Sequence, residues 1–300
     1  MNIQFLKYHK ANYAFFIILV IATIACLIIF GLNLGIDFLG GALWEINFSV
    51  QGGVNRPSNA VIQEKLNQFN LGEIIIQPTG DNGVLLRFKN IDEETHQKML
   101  AELNKISPVE EKRFESIGPT IGKELKEKTI GLVIISFIAL LIYIAISFRK
   151  LKWPISGWQY GLVSIITLAL DIIFTLLVLI LLGRFYNVQF SVPIVAALLT
   201  ILGYTINDKV IIFDRVRENV LKTRSDDFAQ TVNQSLNQIL GRSLSTGVCT
   251  LLVLFAIFLF GGDTLKYFSL TLIVGVIVGT YTSLFVASSL LVSWGLKGRK

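Results

Sequence analysis

The sequence predicts a polytopic α-helical membrane protein, with six transmembrane helices and a small α+β extracytoplasmic domain between helices 1 and 2. Three observations predict it. Apolar runs long enough to cross about 30 Å of hydrocarbon as helices lie near residues 12–33, 129–147, 158–182, 189–213, 243–260 and 266–294. Residues 34–128, between the first two runs, instead mix acids, bases and alternating apolar positions. Finally, a chain of 300 residues with 53% hydrophobic and 16% charged residues and a mean hydropathy of +0.63 is too apolar for a soluble globular protein.

Orientation follows from the basic residues, because Lys and Arg accumulate in cytoplasmic loops. Lys7 and Lys10 precede the first span, and Arg149, Lys150 and Lys152 follow the second. Arg215, Arg217, Lys222 and Arg224 follow the fourth, and Lys297, Arg299 and Lys300 end the chain. Only Arg184 and Lys266 stand in the short loops opposite. Both termini are therefore predicted to be cytoplasmic. The net charge of +6 reads as topology, and no basic patch with interleaved aromatics points to a nucleic-acid partner.

Within the first segment, residues 1–33 form the cytoplasmic N-terminus and first span, which reads as a retained anchor because no small-x-small cleavage site follows it. The second segment, 34–128, reads in pieces. Gly41 to Val50 alternates as a half-buried strand; Gln51-Gly52-Gly53 and Arg56-Pro57 punctuate; Ser58 caps a helix with Val61, Leu66 and Phe69 on one face. Glu73 to Gln77 reads as a strand, Thr79 to Gly83 as a hairpin turn, and Val84 to Lys89 as the next strand. A helix from about Ile91 to Ile106 opens on acidic Asp92, Glu93 and Glu94, as the helix dipole favours. Glu110 to Ser116 closes the unit as a strand. The order β-α-β-β-α-β is that of a ferredoxin-like, split βαβ domain. Gly118, Pro119 and Gly122 interrupt the chain before the second span, either as an ordinary juncture or as a hinge.

The remaining 129–300 read as a five-helix bundle, with residues 217–241 as an amphipathic cytoplasmic link carrying Phe228, Val232, Leu236 and Ile239 at helical spacing. Its polar residues carry the chemistry. A charge at the bilayer centre costs roughly 2.5–3.5 kcal/mol on insertion scales, so ionisable residues there face protein and mark an ion or proton route. Asp171 lies mid-way along the third span, with Thr167 and Thr175 on the same helical face. In the fourth span Thr200, Tyr204 and Asp208 fall at steps of four, with Asn207 and Lys209 beside Asp208. Two carboxylate-bearing faces of this kind must pack on one another or on a partner. Arg242 opens the fifth span in line with Thr246 and Thr250. In the sixth, Thr271, Gly275, Gly279, Ser283 and Ala287 recur every four residues, a stripe that lets helix backbones approach closely at a helix or subunit interface.

Enzyme chemistry finds no support: no phosphate-binding glycine loop, metal-ligand cluster or nucleophile-base pair is legible. Cys26 and Cys249 are lone residues in separate spans, and His9 and His96 lie outside the spans. No cofactor is expected.

Several stretches together resemble the SecF branch of the SecD/SecF family of protein-export membrane proteins, within the resistance-nodulation-division superfamily. They are Gly35-Ile36-Asp37-Phe38-Leu39-Gly40-Gly41, Ser116 to Gly122, Gly203 to Asp208 continuing through Phe213-Asp214-Arg215 to Asn219, and Arg242-Ser243-Leu244-Ser245-Thr246. The resemblance spans essentially the whole chain. It implies a subunit of the bacterial inner membrane that pairs with SecD, works beside the SecYEG channel with YajC as a further neighbour, and uses the proton-motive force to help a translocating polypeptide across. Protons would be the coupling ion. It carries Asp208 and Arg242 into the proton route, with Asp171 and Asn207 as further candidates beside them. Asp214 and Arg215 read as interfacial or gating residues. Lys209 departs from the small polar residue of the family pattern, and reads as a carboxylate's partner or as a side chain snorkelling to the interface. Gly241 stands where the family often has Asn. A lipid or small-molecule exporter, or a structural subunit without proton traffic, remain the alternatives.

Overall fold

The computed structural model describes residues 3–49, 56–80, 82–149, 155–223 and 227–297. Gln51-Gly52-Gly53, Asp81, Lys150, Lys152, Arg224, Arg299 and Lys300 lie outside them. The chain divides into two compact units, residues 34–130 and residues 1–33 with 131–300.

The smaller unit is built on four strands: β1 (Gly41–Phe48), β2 (Ile75–Thr79), β3 (Gly83–Phe88) and β4 (Val109–Ile117). They form one antiparallel sheet in the order β2-β3-β1-β4. After the long helix α1 (His9–Phe30), which belongs to the other unit, and the single-turn α2 (Ile36–Leu39), helix α3 (Asn59–Leu66) follows β1, and α4 (Glu93–Asn104) follows β3. Alternation places Ala42, Trp44, Ile46 and Phe48 of β1 in a core with Ile62, Leu66, Met99 and Leu103 of the helices. The buried face of α3 is thus Ile62 and Leu66, whereas Val61 is exposed. Ser58 caps α3 through the Val61 amide, and Asp92 caps α4 through the Thr95 amide.

The larger unit holds α1, the end of α5 (Pro119–Ser147), and α6 (Gly157–Tyr186), α7 (Val192–Thr223), α8 (Phe228–Phe260), α9 (Gly262–Tyr281) and α10 (Ser288–Lys297). A π-helical segment, Thr282–Ala287, joins α9 to α10. Among the described residues six helices are long and apolar enough to cross a membrane.

Several expected boundaries move. Helix α5 begins at Pro119, ten residues before the expected 129, because Pro is well placed in a first helical turn. Gly118 therefore precedes the helix and Gly122 lies within its first turns. A Cβ at Gly122 would stand 2.9 Å from the Gly40 nitrogen, so this glycine serves a close backbone approach. The link 217–241 is not a separate element. Its first part continues α7 to Thr223, and its second part starts α8, which runs unbroken into the fifth span. Phe228, Val232, Leu236 and Ile239 pack with Phe5, Val216 and Leu291 in the bundle core, so that apolar stripe is covered by the chain itself. Asn233 and Asn237, on the neighbouring face, hold the backbone of Ile3 and Phe5.

Candidate functional site

Helix α6 presents Thr167, Asp171 and Thr175 to the interior, all three buried. The threonines need no outside partner. Thr167 donates to the carbonyls of Val163 and Ser164, and Thr175 to that of Asp171, the back-bonding that short hydroxyl side chains make in helices. Asp171 cannot satisfy itself in this way, and two other helical segments supply its donors. Lys209 Nζ of α7 lies 2.8 Å from Asp171 Oδ2, with both side chains fully shielded. Thr282, the first residue of the π-helical segment, donates to Asp171 Oδ1. Lys209 does not snorkel: it is the carboxylate's partner.

Close packing brings these groups together. A Cβ at Gly279 would lie 1.9 Å from Thr205 Cγ2 and 3.7 Å from Asp171 Oδ2, and one at Gly275 would lie 2.1 Å from Ile201 Cδ1. The small stripe of the sixth span therefore faces α7 of the same chain. Ser283, on that stripe, is buried and donates to the Gly279 carbonyl.

Asp208 points elsewhere. Successive residues of a helix are rotated by about 100°, so with Lys209 turned to α6, Asp208 turns to α8. There Ser243 donates to Asp208 Oδ1 at 2.5 Å. Asp208 Oδ2 is buried without a hydrogen-bond partner. Of the two packings open to the carboxylate-bearing faces, on one another or on a partner, the first is not found: Asp171 meets Lys209, and Asp208 meets Ser243 of α8. Asn207 and Arg242 are exposed, and among the described residues Arg242 makes no ion pair. The residue of the Arg242 motif that touches Asp208 is its neighbour Ser243.

Beyond the apolar part of the α7–α8 hairpin, Asn219 donates to Ser235 and Gln238, each at 2.8 Å. Arg215 reaches Gln238 at 2.7 Å and Glu218 at 2.6 Å. Asp214 is exposed, 3.7 Å from Arg217. Arg215 is thereby a clamp between helices. Ser235, Gln238 and Thr282 were not singled out by sequence reasoning, since polar residues distant in the chain announce no mutual contact. The adjacent Thr282-Ser283 pair in an apolar run was the one available signal. No group of three or more His, Cys, Asp or Glu side chains is placed to hold a metal ion among the described residues.

The family described as protein export membrane protein SecD/SecF, C-terminal, matches residues 96–297, and the SecD/SecF GG motif matches residues 27–50. The chain is similar to the protein translocase subunit SecF of Thermobaculum terrenum, 35% identical over 97% of this chain and 94% of that one. It is likewise similar to that of Anaerolinea thermophila, 36% identical over 94% and 92%. Among solved structures, the crystal structure of SecDF, a translocon-associated membrane protein from Thermus thermophilus, superposes with a TM-score of 0.83 at 29% identity, over 98% of this chain. SecDF in a super-membrane-facing form superposes with a TM-score of 0.71 over 100% of this chain. This chain spans 39% of the length of each SecDF chain.

Proposed function

The chain belongs to the SecD/SecF family of protein-export membrane proteins, and from that premise we propose that it couples the proton-motive force to protein export. It is a multi-pass membrane protein and an accessory subunit of the Sec protein translocase. In this reading six spans cross the cytoplasmic membrane of a bacterium, both termini are cytoplasmic, and the sheet unit is a ferredoxin-like domain on the outer side. SecD is the partner, as the SecDF neighbours support. SecYEG, YajC and the translocating polypeptide complete the assembly. The chain works as a motor subunit without enzymatic chemistry or cofactor, with protons as the coupling ion.

One observation carries the proton-coupled part: Asp208 is a carboxylate with a buried, unpartnered Oδ2 inside a hairpin of membrane-spanning helices. A carboxylate accepts only, and gains a donor when it is protonated. Asp208 is therefore the group whose charge changes in the cycle. Arg242 stays charged at all working pH, and its approach in the assembled complex favours the ionised form, as its withdrawal favours proton uptake. Asn207, exposed next to Asp208, flanks this route. The gradient supplies about 2.3 kcal/mol per charge per 100 mV, enough to bias a conformational equilibrium. With Pro119 and Gly122 inside α5, Gly118 is what remains of the candidate hinge through which that bias reaches the outer domain.

The test is preprotein translocation into vesicles holding the chain, its partner and the channel, with and without a proton gradient. Asp208→Asn is expected to abolish the gradient's stimulation while the complex still assembles. Undiminished stimulation would sink the reading.

A further inference from the structure

The carboxylates of α6 and α7 have opposite surroundings. Both oxygens of Asp171 are occupied, one by Lys209 and one by Thr282, and the Lys209 and Asp171 side chains are fully shielded. Asp208 has one occupied oxygen and one without a partner. We propose that Lys209 is a positioning residue: with Asp171 it forms a closed pair that keeps its proton count through the cycle, and it holds α7 in the rotation that turns Asp208 to α8. This rests on the proton-coupled reading above and deepens it.

The rotation argument starts from two adjacent stripes of α7. Ile201, Thr205 and Lys209 step by four and meet Gly275, Gly279 and Asp171 in turn. Thr200, Tyr204 and Asp208, one residue earlier, also step by four. Tyr204 and Asp208 lie along α8, where the Tyr204 hydroxyl would be 4.0 Å from a Cβ at Gly247 and Ser243 reaches Asp208. The first stripe is held by steric fit at Ile201 and Thr205, and by charge at Lys209. Removing the charge frees the end of the stripe, next to Asp208.

The groups around each carboxylate decide which one exchanges protons. Lys209 and Thr205 from α7 and the Thr282 hydroxyl from the π-helical segment face Asp171; its own helix adds the self-satisfied Thr167 and Thr175. Ser243 of α8 faces Asp208, with Lys209 next to it in sequence and Arg242 exposed on α8. An ammonium with a carboxylate is neutral as a pair, and a proton entering there must displace a charge-assisted hydrogen bond in a site without solvent access. Entry at Asp208 displaces nothing from Oδ2. A single lysine thus separates two acids that look alike in the sequence.

Infrared titration of protonated-carboxyl bands in vesicles containing the full chain tests this, above about pH 6 where ordinary carboxylic acids are already ionised. The wild type is expected to show a titrating band and Asp208→Asn none. Asp208→Asn/Lys209→Met is expected to regain one, because Asp171 has lost its counter-ion. A titrating band in Asp208→Asn that disappears in Asp171→Asn/Asp208→Asn would overturn the proposal. If the Lys209 variant does not fold, the Asp208→Asn spectrum alone decides. Failure of the proton-coupled reading is distinct: gradient-stimulated translocation then survives in Asp208→Asn, whatever the bands do.

Discussion

Ser243 donates its hydroxyl to Asp208 Oδ1 at 2.5 Å, and this hydrogen bond joins α8 to the carboxylate of α7. Ser243 is buried while its neighbours Arg242 and Leu244 are exposed, so the contact belongs to one rotation of α8. In the proposed cycle, the serine is the fixed reference against which Asp208 would take up and release its proton.

Removing that donor is the first expected effect. A hydrogen bond to a charged group contributes about 1.5–3 kcal/mol, so Ser243→Ala should reduce gradient-stimulated translocation by about ten- to a hundredfold and leave gradient-independent translocation near its usual rate. Equal loss in both conditions would assign Ser243 to packing alone. The vesicle assay used for Asp208 reads both rates.

Asn219 offers a stability prediction. Its amide bridges to Ser235 and Gln238, and Ser235 is fully buried. Asn219→Ala removes two hydrogen bonds, one of them to the buried Ser235 hydroxyl, a loss of about 1–3 kcal/mol. Thermal unfolding in detergent should shift to lower temperature, and Asn219→Asp should recover little of the shift, because a carboxylate cannot donate to Gln238 Oε1.

Two glycines of neighbouring helices should respond in opposite directions. At Gly279 a methyl group would lie 1.9 Å from Thr205 Cγ2, whereas nothing lies within 4 Å of one at Gly203. Gly279→Ala forces α9 from α7, an overpacking cost of about 1–3 kcal/mol. Gly203→Ala should be neutral or raise the melting temperature, since Ala is favoured over Gly within a helix by about 0.5–1 kcal/mol. Similar melting temperatures for the two variants would contradict the assigned packing.

In the sheet unit, the Asp92 carboxylate is held below the usual range chiefly by its hydrogen bond to Thr95, at the N-terminus of α4. A carboxylate with a lowered folded pKa stabilises the fold above its unfolded value of 3.8, and that contribution fades as the pH falls through the depressed folded value. Amide exchange at Thr95, corrected for the intrinsic rate, should therefore accelerate below about pH 4. Asp92→Asn keeps a capping acceptor that does not titrate, and should remove that acceleration.

Much of this architecture was legible locally. Hydropathy marked six apolar runs because burying a helix's backbone groups in lipid requires about 20 consecutive apolar residues; Ser58 was legible as the cap of α3 and the acidic run Asp92 to Glu94 as the start of α4, because both signals act within one turn, while the structure makes Asp92 itself the cap. Alternation placed four strands within a few residues of where they lie. Boundaries moved where the local signal was shared: α5 starts at Pro119 and α8 absorbs the expected link, since charged, polar and apolar turns are equally helical once the apolar side is packed.

The sequence by itself determined which residues are expensive to bury in the membrane, Asp171, Asp208 and Lys209 among them, because that cost belongs to each side chain alone. Only the tertiary structure decided how they pair. Asp208 and Lys209 are adjacent, and the sequence leaves open which meets α6; the choice lies in the rotation of α7, fixed by Gly275 and Gly279 fitting Ile201 and Thr205 together with the Lys209–Asp171 pair. Rotation about a helix axis is a property of packed surfaces, so no reading of one helix's pattern contains it.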